Sequence, residues 1–239
     1  MYFCYLDTNI YYERVKADSK QIVLLHGFGA SSKTMQGLFY FLQKKGYDVT
    51  TVDFAGFGNS DEPKKSWTIY DYANSIKALI KHENLNEPIV LGHSFGGRVG
   101  IILASEQETR GLVLIDSAGL KPRRKINYYV SVYKYKIRKK LGLNVEKYGS
   151  KDYKTLSLVM RETFVKVVNE YLENLLGKIY CPTIILWGKN DKETPLYMAK
   201  KLNKRIKNSA QIVLDGGHFS FLDSFSQTCC ILESFICSI

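Results

Sequence analysis

The five residues Gly92-His93-Ser94-Phe95-Gly96 constrain this chain more than any others. They follow a short apolar run, Pro88 to Leu91, and precede an apolar helical pattern that extends to about Ser105. A Gly-x-Ser-x-Gly sequence between a strand and a helix makes a turn tight enough to strain the serine backbone. Small residues two positions to either side let strand and helix approach. The hydroxyl then stands clear of the sheet at a helix N-terminus, where free N–H groups and the dipole favour developing negative charge. Gly97 extends the small-residue stretch.

The remainder of the chain supplies the setting such a turn needs. Gln21–Leu25, Asp48–Val52, Leu112–Ile115, Pro182–Trp187 and Gln211–Leu214 are short runs, mostly apolar. Runs of that kind suit strands buried on both faces of a parallel sheet. Asn9–Val15 alternates instead and reads as an early antiparallel edge strand. Helical patterns lie between the runs. One covers Thr34 to Lys45 and ends at Gly46, a second opens at Thr68 with Asp71 in its first turn, and a third closes the chain from Phe219 to about Ile236. Alternation of this kind predicts the α/β class, with a mostly parallel sheet flanked by helices. At 239 residues the chain is long enough for one large domain. The segment 120–178 breaks the rhythm, because it carries basic and aromatic helical patterns and no buried strand. It reads as a helical cap inserted into a core made of residues 1–119 and 179–239.

Composition narrows the function classes. Some 45% of residues are apolar and 24% charged, as in an ordinary globular protein. No run of eighteen apolar residues predicts a transmembrane helix, and the N-terminus has no basic segment of the signal-peptide kind. The five cysteines, Cys4, Cys181, Cys229, Cys230 and Cys237, have no metal-type spacing. They read as reduced, mostly buried thiols, and the expected location is cytoplasmic. The net charge of +11 is concentrated between Lys121 and Lys140, where nine Lys or Arg residues occur without an acid. No nucleic-acid-binding motif accompanies it, so no nucleic-acid partner is expected. In the same stretch Tyr128, Tyr129, Tyr133 and Tyr135 alternate with Lys134, Lys136 and Arg138. That pattern reads as an amphipathic helix, or as a basic lid drawing anionic substrates or surfaces.

A serine hydroxyl needs a base to become a nucleophile at neutral pH. The chain has four histidines. His82 lies late in an exposed helix, His93 is expected to project away from Ser94, and His26 belongs to a glycine-rich loop. His218 stands in Asp215-Gly216-Gly217-His218-Phe219, just beyond the last strand, and is the expected base. An acid must orient it. Asp191, after the strand Pro182–Trp187, gives the chain order Ser, Asp, His; Asp116, at the end of the preceding strand, is a rival. Oxyanion donors are expected from the N–H groups of Phe95, directly after the serine, and Phe28, in His26-Gly27-Phe28-Gly29.

Those motifs, with Asp53-Phe54-Ala55-Gly56-Phe57-Gly58-Asn59-Ser60, resemble the α/β-hydrolase superfamily in order and spacing over nearly the whole chain. Within it the sequence is similar to the capped esterases and carbon–carbon-bond hydrolases. The resemblance implies an eight-stranded, mostly parallel sheet, a lid inserted after Asp116, and cofactor-independent chemistry through an acyl-enzyme. Relatives that open epoxides or remove halides carry aspartate where Ser94 stands. Carbon–carbon hydrolases of ring-cleavage products often have tryptophan and asparagine where Phe219 and His93 stand, which tilts the expectation toward ester hydrolysis of a small molecule. A slow-turnover sensor and an acyltransferase are the other classes compatible with these motifs.

Overall fold

The computed structural model describes residues 1–123 and 155–239. Eight strands form one sheet: β1 Tyr2–Tyr5, β2 Thr8–Val15, β3 Gln21–Leu25, β4 Asp48–Val52, β5 Ile89–His93, β6 Gly111–Ile115, β7 Thr183–Gly188 and β8 Ser209–Leu214. Their spatial order is β1-β2-β4-β3-β5-β6-β7-β8, and every pairing from β4 onward is parallel. β2 runs antiparallel to β4 but is not an edge, because β1 pairs antiparallel on its outer side.

Every residue of β4, β5, β6 and β7 is buried, which is why these strands read as continuous runs rather than alternating ones. Helices cover both faces. On one lie α2 (Ile69–His82), α3 (Phe95–Ser105) and α5 (Tyr197–Arg205), with Ile76, Val99 and Leu202 in a core that includes Val90 and Ile185. On the other, α1 (Gln36–Lys44) and α7 (Phe225–Ser238) bring Leu38, Leu42 and Leu232 against Ile22, Leu91 and Val113. The first turn of α2 is a capping box. Asp71 accepts the Thr68 N–H, and Thr68 Oγ1 accepts the Asp71 N–H. The C-terminal helix is divided into a single turn, α6 (Ser220–Asp223), and α7, with Ser224 between them at φ −118° and ψ 49°. Within 155–178 the chain forms α4 (Leu158–Asn169) and a 3-10 turn at Leu176–Lys178. The tyrosines and lysines of 128–138 lie outside the described residues.

All five cysteines are free, but the expectation that they are mostly buried is corrected. Cys4, Cys230 and Cys237 are exposed, because the half-exposed edge strand β1 and the outward face of α7 carry them. Among the described residues no helix is long and apolar enough to cross a membrane.

The approach of α3 to the sheet fixes the turn between β5 and α3. A Cβ on Gly96 would lie 2.2 Å from the Leu25 carbonyl oxygen, and one on Gly92 would lie 2.4 Å from that of Gly96. Both neighbours are backbone and cannot rotate aside. Gly96→Ala should therefore destabilise the protein by about 1–3 kcal/mol, as overpacking of a filled core does. Urea titration of the variant and the parent would measure the loss.

Candidate active site

Parallel strands deliver their C-terminal ends to one edge of the sheet, and three of the expected residues meet there. Ser94 follows β5, Asp191 follows β7 and His218 follows β8. Ser94 adopts φ 49° and ψ −104°, a region a non-glycine residue rarely occupies. Its N–H donates to the Ile115 carbonyl at 3.0 Å, and its own carbonyl accepts from the N–H groups of Gly97 and Ala118 at 3.1 and 3.0 Å. The hydroxyl is thereby left free of the sheet and donates to His218 Nε2 at 2.9 Å. His218 Nδ1–H donates to Asp191 Oδ2 at 2.8 Å.

Asp191 is firmly seated. Its Oδ1 accepts the N–H groups of Glu193 and Thr194 at 2.8 and 2.9 Å, and Oδ2 also accepts the Thr194 hydroxyl at 2.7 Å. Burial pushes its pKa up, but the hydrogen bonds from His218 and Thr194 outweigh that and hold the carboxyl below its ordinary value. For His218 the signs are mirrored. Burial lowers its pKa, and the hydrogen bond and charge of Asp191 more than restore it, so the net shift is upward. Thr194 was not anticipated from sequence. A hydroxyl three residues after an aspartate is the spacing at which such side chains close local turns, and that was the available signal.

The rival acid is occupied elsewhere. Asp116 is fully buried, and its carboxylate accepts the Gly188 N–H at 2.7 Å and the Ser220 hydroxyl and N–H at 2.6 and 3.1 Å. It ties the ends of β6 and β7 to α6, and burial pushes its pKa up to about 6.

The other histidines hold the loops. His26 Nδ1–H donates to the Gly27 carbonyl at 2.7 Å, and Nε2 accepts the Phe54 N–H at 3.0 Å. Since Gly96 N–H also donates to the His26 carbonyl, the loop carrying Phe28 is pinned to the first turn of α3. His93 is directed at the loop that carries His218. Its Nε2–H donates to the His218 carbonyl at 2.7 Å and its ring lies 5.0 Å from that of His218. Burial pushes both His26 and His93 down to about 4, so they are neutral at physiological pH. His82 is exposed on α2, as expected.

Phe95 is the first residue of α3, where an N–H has no acceptor within the helix. Its ring stands 5.6 Å from that of Phe28, so the side chains of the two expected oxyanion donors pack together. Over them opens a cleft of about 360 Å³. Phe28, Phe95, Ala118, Phe164, Val167 and Val168 make its walls apolar, with Ser94 and His218 at its floor. Arg98 and Glu193 add the only charged groups of the described lining, and Glu193 Oε2 lies 3.4 Å from His218 Nε2. No three His, Cys, Asp or Glu side chains are grouped to hold a metal ion among the described residues.

A parallel sheet with a nucleophile-type turn, a histidine and an acid at its C-terminal edge defines a hydrolase architecture. The profile of the alpha/beta hydrolase fold matches residues 20–161, and the chain belongs to that family of hydrolases. It is 27% identical over 235 residues to AB hydrolase superfamily protein YisY of Bacillus subtilis, covering 85% of this chain and 87% of that one. It is also 27% identical over 276 residues to a proline iminopeptidase of Saccharolobus solfataricus, with 95% and 89% covered. Among solved structures, the esterase EaEST from Exiguobacterium antarcticum superposes with a TM-score of 0.78 at 24% identity, covering 96% of each chain.

The electrostatics give a direct expectation for titration. His218 should lose its proton above the ordinary histidine value of about 6.5, and Asp191→Asn should move that midpoint down. His26 and His93 should stay neutral until near pH 4. Two-dimensional NMR of the imidazole resonances across pH would resolve each.

Proposed function

We propose that this chain is a serine hydrolase that cleaves a carboxylic ester, or a related acyl bond, of a small molecule with an apolar acyl group. The observation that carries the reading is the relay from Ser94 Oγ through His218 to Asp191, with contacts of 2.9 and 2.8 Å, at the floor of an apolar cleft.

His218, neutral and held in its Nδ1–H tautomer by Asp191, takes the Ser94 proton as Ser94 Oγ attacks the carbonyl carbon. The oxygen becomes an oxyanion, held by the N–H groups of Phe28 and Phe95. Collapse of the tetrahedral species breaks the bond to the alcohol, which leaves with the proton from His218. Water, activated by the same imidazole, then attacks the acyl-enzyme and returns Ser94 to its resting form. The described residues 155–178 serve as part of a cap at the cleft. The support for that role is α4, whose Phe164, Val167 and Val168 form one wall.

A fluorophosphonate probe should modify Ser94, as located by peptide mass spectrometry. Ser94→Ala should lose both the label and ester turnover, and labelling that persists in this variant would sink the proposal.

The two aspartates separate in a second test. Asp191→Asn should lower kcat by about 10³–10⁴-fold, because the histidine loses its tautomer and its counter-charge. Asp116→Asn should act mainly on unfolding, since its carboxylate bonds main chain and Ser220. Ester turnover and thermal melts of both variants decide it, and the reverse pattern would assign the acid to Asp116.

The pH dependence has a definite sign. The base works only when neutral, so kcat/KM should rise with pH through the His218 pKa. Because Asp191 raises that pKa, the midpoint of the acidic limb should lie above the ordinary histidine value.

A further inference from the structure

Arg98 is a buried cation that the proposed chemistry does not use. It sits on α3 one turn beyond Ser94 and is 7% exposed. Its Nη1 donates to two main-chain carbonyls, Val167 at 3.0 Å and Glu170 at 2.7 Å. Val167 lies in the last turn of α4, where its carbonyl also accepts the Glu170 N–H at 3.3 Å, and Glu170 is the extended residue that follows the helix. That terminus also carries the negative end of the helix dipole, so a guanidinium there meets partial charge as well as acceptors. Burial lowers the Arg98 pKa to about 10, which still leaves it charged at neutral pH.

The helix it grips is the wall of the cleft, since Phe164, Val167 and Val168 line the cavity above Ser94. The same helix is held to the core nearer its start. The Trp67 N–H donates to the Thr163 hydroxyl at 3.0 Å, and Met160 and Thr163 are buried. Arg98 thus completes the seating of α4 at its far end and connects it to the helix that carries the nucleophile. A shift of the last turn of α4 would change the distance between Val167, Val168 and the Ser94 hydroxyl.

We infer that Arg98 is a specificity-determining positioning residue. By clamping the C-terminal carbonyls of α4 onto the nucleophile helix, it fixes the width of the acyl pocket and so the length of acyl chain the enzyme prefers. This inference rests on the reading of Ser94 as nucleophile. Its substrate class is a neutral, apolar acyl group whose size matches the gap between α3 and α4. The guanidinium acts through α4 and touches no reacting atom.

The test uses the full chain with Arg98→Met, which keeps an unbranched stem and removes the donors, and Arg98→Lys, which keeps the charge and a single donor group. Each is assayed on p-nitrophenyl acetate, butyrate, hexanoate and octanoate. In Arg98→Met the ratio of kcat/KM between the best and worst esters should shrink about tenfold, mostly through KM, with Arg98→Lys intermediate. Hydrogen exchange measured by mass spectrometry should also show faster exchange in peptides spanning 160–172 in Arg98→Met. An unchanged ester ratio, or a loss equal for all four esters, overturns the inference, as does unchanged exchange in that segment. If Arg98→Met does not fold, Arg98→Lys is read by the same two measurements against the parent protein. Fluorophosphonate labelling of Ser94 in the parent separates the two failures. Labelling with an unaltered ester ratio removes the role of Arg98 alone, whereas no labelling removes the nucleophile and this inference with it.

Discussion

A serine at φ 49° and ψ −104° is held at the end of β5 only because its surroundings leave it no alternative. Backbone strain of this type costs on the order of 1–3 kcal/mol. The offset is local. Ser94 makes main-chain bonds to Ile115, Gly97 and Ala118, and Gly96 bonds the His26 carbonyl. The Gly96 bond needs α3 to lie close on the sheet, and that closeness needs glycine at 92 and 96. The position of the hydroxyl, the free N–H of Phe95 and the reach of His218 all follow from that one turn.

Around the turn, burial and hydrogen bonding drive chemically similar groups apart. Asp116 and Asp191 both follow the ends of neighbouring parallel strands. Burial raises the Asp116 pKa to about 6 in spite of the donors from Gly188 and Ser220, which act to lower it. Asp191 gains the imidazole and the Thr194 hydroxyl, and its pKa falls. The histidines divide in the same way, with His26 and His93 near 4 and His218 moved upward. Separation of like groups by environment is the usual basis for distinct acid and base roles within one site.

Much of the core was legible because its strands are buried on both faces, so that runs such as Gln21–Leu25 signal strand without alternation. Elements at the margins were not. β1 has exposed and half-buried residues in turn, and its hairpin turns through Leu6 and Asp7 at φ 47° and 57°. Those angles normally select Asn-Gly, so the usual hairpin signal is missing. α5 buries Met198, Ala199 and Leu202 among Lys200, Lys201, Lys204 and Arg205, and its apolar stripe is too narrow to stand out. At the site, Ser94, His218 and Asp191 could be named from their place after strands. The bond from His93 to the His218 carbonyl could not, because that carbonyl reaches His93 only through the loop that folds over the strand end. Arg98 escaped for a related reason: its partners, the Val167 and Glu170 carbonyls, are main-chain atoms, which carry no residue-specific pattern.

The two walls of the cleft are made by different rules. The floor is set by contacts between main-chain atoms, which tolerate almost no change in the residues that allow them. The α4 wall, by contrast, is made by the side chains of Phe164, Val167 and Val168, of which Phe164 and Val168 are only half-buried. Lineages that inherit such a division can explore new substrates by drift on one side of the cavity while the bond-breaking machinery on the other stays fixed. The steric demand of the tight turn thus stays local to β5, α3 and the strand beside them.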